Sequence, residues 1–210
     1  MKQIKLAGLS VITAMLLSAC GGGGSSGSTP ATVTPVDTST GPLSKYAGVW
    51  NQGCQNHEID TTTITATSAG SALSMSQKIE FYENANCTGA IVATGTYASP
   101  VVVAQHIRTE ANATVKMLTG ETVASSVDLV NATANGAVIN FVGSAVSSSV
   151  VNGKTTWKFV FKDTTITQTI EISSGSAQGG FTLRNGELFF VQAIGSSATA
   201  FAVDSRYVRG

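Results

Sequence analysis

Charge is scarce in this 210-residue chain. Lys, Arg, Asp and Glu make up 11% of it, against about 25% in ordinary soluble domains. The 12 basic and 12 acidic residues cancel. No basic cluster stands out, which argues against nucleic acid or an anionic membrane surface as a partner. Histidine is rarer still, with only His57 and His106, so a metal centre or a His-dependent catalytic set has little to draw on. The N-terminal apolar run, Leu6 to Leu17, is about 12 residues, short of the roughly 20 that a membrane-spanning helix needs. From Pro42 onward the 3.6-residue periodicity of amphipathic helices is almost missing, which excludes a helical bundle.

What is present begins with Leu17-Ser18-Ala19-Cys20, which closes the apolar run that follows Lys2 and Lys5. A charged start, an apolar middle and small residues before a cut are what a secretory signal requires. The stretch resembles the lipobox of bacterial lipoproteins, in which the cysteine takes the lipid and becomes the mature N-terminus. The resemblance implies a signal peptide over residues 1–19, lipid attachment with acyl chains such as palmitate at Cys20, and membrane association through that lipid. Gly21 directly after the cysteine fits export to the outer membrane of the cell envelope, facing the periplasm or the cell surface. Loss of Lys2 and Lys5 with the signal would leave the mature chain two charges negative. Residues 20–41 then form a Gly/Ser/Thr-rich linker with too few apolar side chains to offset the entropy of ordering it. A flexible chain of about 20 residues reaches roughly 25 Å. Residues 42–210 are long enough for a single domain with its own core.

With Cys20 assigned to the lipid, Cys54 and Cys87 remain as an even pair in an exported chain, and a disulfide between them is expected. Closing a loop of about 33 residues stabilises by roughly 3.5 kcal/mol on the chain-entropy model. A thiol nucleophile or a metal-ligand role lacks the C-x-x-C spacing that would support it.

The domain alternates at period two. In Lys154-Thr155-Thr156-Trp157-Lys158-Phe159-Val160-Phe161 the odd positions place Trp157, Phe159 and Phe161 on one face, the mark of a half-buried strand. Val101, Val103 and Ile107 read as the inner face of another strand, with His106 and Arg108 outward. Ile166, Ile170 and Ile172 read as a third. Asn135-Gly136, Asn152-Gly153 and Asn185-Gly186 each fit a two-residue type I′ turn, which needs positive φ at both central positions. About ten strands are expected. Such a set protects its edges by closing into a barrel or folding into a sandwich, and consecutive hairpins favour an all-β, antiparallel up-and-down barrel of about 8–10 strands.

The domain opens with Leu43-Ser44-Lys45-Tyr46-Ala47-Gly48-Val49-Trp50. This resembles the start of a lipocalin or wider calycin barrel, where a short helical turn precedes Gly-x-Trp on the first strand. The resemblance implies that Trp50 closes one barrel end and packs under an arginine of the last strand, Arg206 or Arg209. An Arg stacked on Trp contributes about 0.5–2 kcal/mol. Lipobox, Gly/Ser linker, Tyr-x-Gly-x-Trp, a cysteine pair and a β-rich remainder together resemble proteobacterial lipoproteins. That kinship implies a location and a fold class, and no reaction.

Candidate chemistry is thin. His57-Glu58-Ile59-Asp60 places His and Asp on opposite sides of a strand, so the set converges on a metal only if a turn intervenes, and no metal is expected. His106 reads as an outward polar residue. The one Gly-x-Ser-x-Gly match, around Ser25, lies in the linker without the strand and helix a nucleophile elbow needs. Glu80, Glu83 and Glu110 show no pairing. The sequons at Asn86, Asn112 and Asn131 read as products of composition in a chain with a bacterial lipobox. No cofactor and no enzymatic activity are expected. The aromatics are the stronger candidates: Trp157, Phe159 and Phe161, with Phe181, Phe189, Phe190 and Phe201, would line a barrel cavity or fill it. The first reading is therefore a barrel that binds a small apolar ligand or an envelope component. Its alternative is a filled barrel acting through its surface on a protein partner whose identity the sequence does not give. A cavity above roughly 300 Å³ favours the first.

Overall fold

A short 3-10 turn, Ser44–Tyr46, delivers the chain into β1 (Gly48–Asn51) and so begins the ring of strands in the computed structural model of the protein. The structure describes residues 41–97, 100–172 and 174–210. The expected signal peptide, Cys20 and nearly all of the linker lie outside the described residues.

β1 is followed by β2 (Glu58–Thr67), β3 (Ala72–Tyr82), β4 (Ile91–Tyr97), β5 (Val102–Lys116) and β6 (Thr122–Ala134). After β7 (Ala137–Gly143), β8 (Val146–Val151), β9 (Lys154–Val160), β10 (Thr165–Gln168) and β11 (Glu171–Ile172), the chain ends on β12 (Gly175–Arg184), β13 (Glu187–Ala193) and β14 (Ala200–Arg209). Antiparallel pairing runs β1–β2–β3, then β3–β5–β6–β12–β13–β14, and β14 returns to β1. Eight strands taken in chain order thus make a barrel-like ring, with β4 and the β7–β11 segment inserted as an annex. Here the strand total exceeds the expected ten, because the annex adds short strands that never join the ring.

Long strands make the fork possible. β3 gives its first half to β5, with Ala72 to Met75 facing Gln105 to Val102, and its second half to β4, with Lys78 facing Thr96. From that fork the sheet continues through β4 to β7 and β11. A separate sheet, ordered β10-β9-β8, packs against it. β5 also serves two partners. Register shifts at His106/Arg108 and Glu110/Ala113 bend it, as bulges do, and its far end pairs in parallel with Ala200 to Ala202 of β14.

Three apolar cores result. The ring holds Leu43, Tyr46, Trp50, Ile64, Leu73, Phe181, Leu188 and Tyr207 among others. The annex holds Phe81, Phe141, Trp157, Phe159, Phe161 and Ile166. A third lies under the bent end of β5, with Val115, Val127, Leu129, Phe189 and Phe201. On β6, Leu129 belongs to this third core and its neighbour Val130 to the ring, as alternation across a strand requires.

Two of the three Asn-Gly turns form as expected. Asn152-Gly153 (φ 52° and 76°) and Asn185-Gly186 (φ 53° and 78°) join β8 to β9 and β12 to β13. Asn135-Gly136 makes no hairpin. The Asn135 N–H donates to Val101 O at 3.0 Å, and the chain then leaves the ring for β7, which pairs with β4 and β11. The inner face of β5 also differs from the sequence reading. Val101 is buried in the ring core as read, but within β5 Val102 and Ala104 are buried while Ile107 is 43% exposed, since the pairing with β3 sets the phase of the pleat and both faces carry apolar residues.

Candidate functional site

Trp50 packs where the first strand meets the last, β1 against β14. Its indole is buried, Nε1 donates to Tyr46 O at 2.8 Å, and the Arg209 guanidinium lies 4.9 Å from the ring centre. Arg206 goes elsewhere and pairs with Glu187 across β13 and β14. Of the two arginines named from the sequence, Arg209 is the one brought to Trp50. Gly48 is required here: its φ is +139°, and a Cβ would stand 3.3 Å from Arg209 Nη1.

Tyr46 also reaches a buried carboxylate. Asp128 accepts hydrogen bonds from Tyr46 Oη at 2.6 Å, Lys45 Nζ at 2.7 Å and Thr109 Oγ1, with His106 Nε2 3.7 Å away. Burial by itself would raise the Asp128 carboxyl, but the bonds from Lys45, Thr109 and Tyr46 outweigh it and hold the group below the usual carboxylate range. The Tyr46 hydroxyl is pushed well above its ordinary range by burial and then by its bond to Asp128. This node ties the opening turn to β5 and β6, and it places His106 beside a carboxylate instead of facing outward.

Glu58, Asp60, Thr62 and Ile64 share the buried face of β2, Glu58 and Asp60 opposite Phe81 and Ile79 of the annex core and Ile64 opposite Met75 of the ring core. Burial first, then the charge of Asp60, pushes the Glu58 carboxyl up. Burial also raises Asp60, with the hydrogen bond to Glu58 working the other way. Tyr207 is pushed up to about 12 by burial and the Asp60 charge. The pair holds protons that exposed carboxyls would lose. The sequence sets Asp60 against His57 as a possible metal pair and leaves Glu58 and Asp60 unpaired, although a spacing of two on a strand is the signal for one shared face. What was missing was any sign that the face is internal, because acids and threonines read as solvated.

The ring's own cavity is about 70 Å³ and is lined chiefly by Met75, Val101, Val102, Phe181, Phe190 and Tyr207. Trp157 and Phe159 do not line it. They pack in the annex, Phe159 stacked 4.1 Å from Phe81 and Trp157 edge-on to Phe141 at 5.1 Å. Phe161 stacks on the buried His57 ring at 3.9 Å. The three thus share one strand face, as read, and that face fills the annex.

At the open end of the annex lies a groove of about 440 Å³, with Val92, Val146, Val160 and Phe161 as its apolar lining and the Glu83–Lys162 ion pair beside them. The Cys54–Cys87 disulfide is nearby in the fold. Its Cα atoms are 5.8 Å apart, and it ties the β1–β2 connection to the β3–β4 connection. In the same region Asn56 and His57 (φ 50° and 80°) turn the chain between Gln55 and Glu58. His57 Nδ1 donates to Tyr82 O at 2.9 Å, and Nε2 lies 3.3 Å from Asp163. A turn does intervene before β2, yet it stacks His57 on Phe161 while Asp60 stays on the buried face of β2. Among the described residues no three His, Cys, Asp or Glu side chains converge as metal ligands.

Compared with protein-family models, with curated proteins and with solved structures, the chain matches none.

Proposed function

We propose that this protein is an envelope protein anchored by lipid on Cys20, and that its filled barrel acts through its outer surface on a partner, without catalysis or a cofactor. The observation that supports a filled barrel is the size of the ring's interior. Its 70 Å³ is several-fold smaller than the pockets that hold small ligands, which run from about 300 to 1,000 Å³. An eight-stranded ring is just wide enough for side chains to fill, and Trp50, Tyr46, Phe181, Phe190 and Tyr207 take that space here. The anchor, the outer-membrane location and the kinship with proteobacterial lipoproteins are supported by residues 1–21 and the linker pattern alone.

A second reading, a small apolar ligand, is favoured by one observation: the annex groove of about 440 Å³ has the volume of a ligand pocket. Trp157, Phe159 and Phe161 would then support the groove from beneath, with Phe161 in its wall.

Native mass spectrometry of the full exported chain in detergent, followed by solvent extraction, tests both. The filled-barrel reading expects a chain that begins at a lipid-modified Cys20 and carries no stoichiometric small molecule. A one-to-one extractable ligand would sink it in favour of the second reading. An N-terminus without lipid would sink the anchor.

A further inference from the structure

We propose that β8 is a self-pairing edge, through which two copies of this chain join their three-stranded annex sheets into one sheet of six. The inference stands on the annex edge alone and does not depend on how the ring is filled. Among the described strands β8 pairs only with β9, without a register shift. The opposite side of the small sheet is tied down, because β10 runs on into β11, which pairs with β7. Folded proteins protect free edges with charges, proline, bulges or a covering element. Val146-Ser147-Ser148-Ser149-Val150-Val151 carries no charge and no proline, and Ser147 to Val151 are all exposed, Val150 at 73%.

The occupant follows from the sequence of the edge. Val146-Ser147-Ser148-Ser149-Val150 reads the same in both directions, which is what an isologous antiparallel pair demands of its own strand. Val146 and Ser148 stand opposite the buried Phe159 and Trp157, so the even positions face the annex core and the odd positions face away. A two-fold axis perpendicular to the sheet keeps each face on its side, so it must pass through a residue. Through Ser148, it sets Val146 against Val150 of the second copy twice on one face, and Ser147 against Ser149 twice on the other. Like pairs of this kind stabilise strand pairing. An axis through Ser149 would oppose Val150 to Ser148 and Val151 to Ser147, which matches nothing. So short an edge falls below the roughly 1,200 Å² of a standard interface, and the pair forms where copies are crowded.

Cysteine cross-linking of the full chain in its native envelope tests this. Directly opposed residues lie about 4.5–5.5 Å apart at Cα, within disulfide reach, so Ser148→Cys yields a covalent homodimer. Val146→Cys and Val150→Cys alone do not, because each would face its own copy at about 13 Å. Co-expressed, those two cross-link to each other. Adding Val150→Lys at this exposed site reduces the Ser148→Cys dimer at least tenfold while the melting temperature stays at the parent value. A folded Ser148→Cys chain that remains monomeric, cross-links equally at Val146→Cys, or is captured by a different protein would overturn the proposal.

Discussion

Arg209 lies over Trp50 with 4.9 Å between its guanidinium carbon and the ring centre, and the two residues face each other directly across β1 and β14. The first and last strands are therefore joined by side chains as well as by the ladder. Replacing the exposed Arg209 with Ala should lower stability by about 0.5–1 kcal/mol, and replacing Trp50 with Ala by about 3–5 kcal/mol. Arg206→Ala removes an exposed pair with Glu187 and should cost less than either, because solvent screens such a pair. Urea titration of the three variants checks the ranking. A larger loss for Arg206→Ala would contradict it.

Gly48 makes that contact possible. With φ at +139° and a Cβ position 3.3 Å from Arg209 Nη1, Gly48→Ala strains the backbone and makes the guanidinium give by a few tenths of an ångström. Destabilisation of about 1–3 kcal/mol is expected. In the Arg209→Ala background the steric part disappears and the backbone part stays, so a double-mutant cycle should show coupling. Strict additivity would rule out the contact.

The Cys54–Cys87 bond closes a loop of sequence separation 33, worth roughly 3.5 kcal/mol on the chain-entropy model. Cys54→Ser should lower the melting temperature under oxidising conditions and leave it unchanged relative to the parent in reductant. An equal loss in both would place the effect in packing around the β1–β2 connection.

Stability should peak in mild acid. Glu58 and Asp60 hold their protons in the folded chain at pH values where the unfolded chain has lost them. The folded state then binds more protons, so stability falls as pH rises above the ordinary carboxylate range of about 4. It levels off once both are ionised in the folded chain. Asp128 is held low, so its contribution is present above that range and is lost as pH falls below it. Urea midpoints from pH 3 to 9 trace both limbs. Glu58→Gln should flatten the upper one and Asp128→Asn the lower. A midpoint that climbs between pH 5 and 8 would refute the acid-pair account.

Local chemistry was readable from residues alone. Asn152-Gly153 and Asn185-Gly186 sit where type I′ geometry needs them, and the odd-numbered aromatics of β9 share one face. Each of these depends on neighbours a few positions away. Asn135-Gly136 has the same local signal, yet its flanking strands find partners elsewhere. Val101, Val103 and Ile107 read as well as Val102 and Ala104 for the inner face of β5, since both sets are apolar enough. Glu58 and Asp60 gave no sign of burial, because a polar side chain carries no mark of which face will be internal.

Composition and period-two patterning by themselves determined an all-β chain, its short turns, its cysteine pair and the Gly-x-Trp beginning of its first strand, because these follow from dihedral preference and side-chain alternation within a few residues. Only the tertiary structure decided that β3 would fork between β5 and β4, that eight strands would make the ring while Trp157 and Phe159 filled an annex, and that Arg209 would be chosen over Arg206. Those outcomes turn on which of several similar strands pair, and pairing energy is settled by register and packing between segments far apart in the chain.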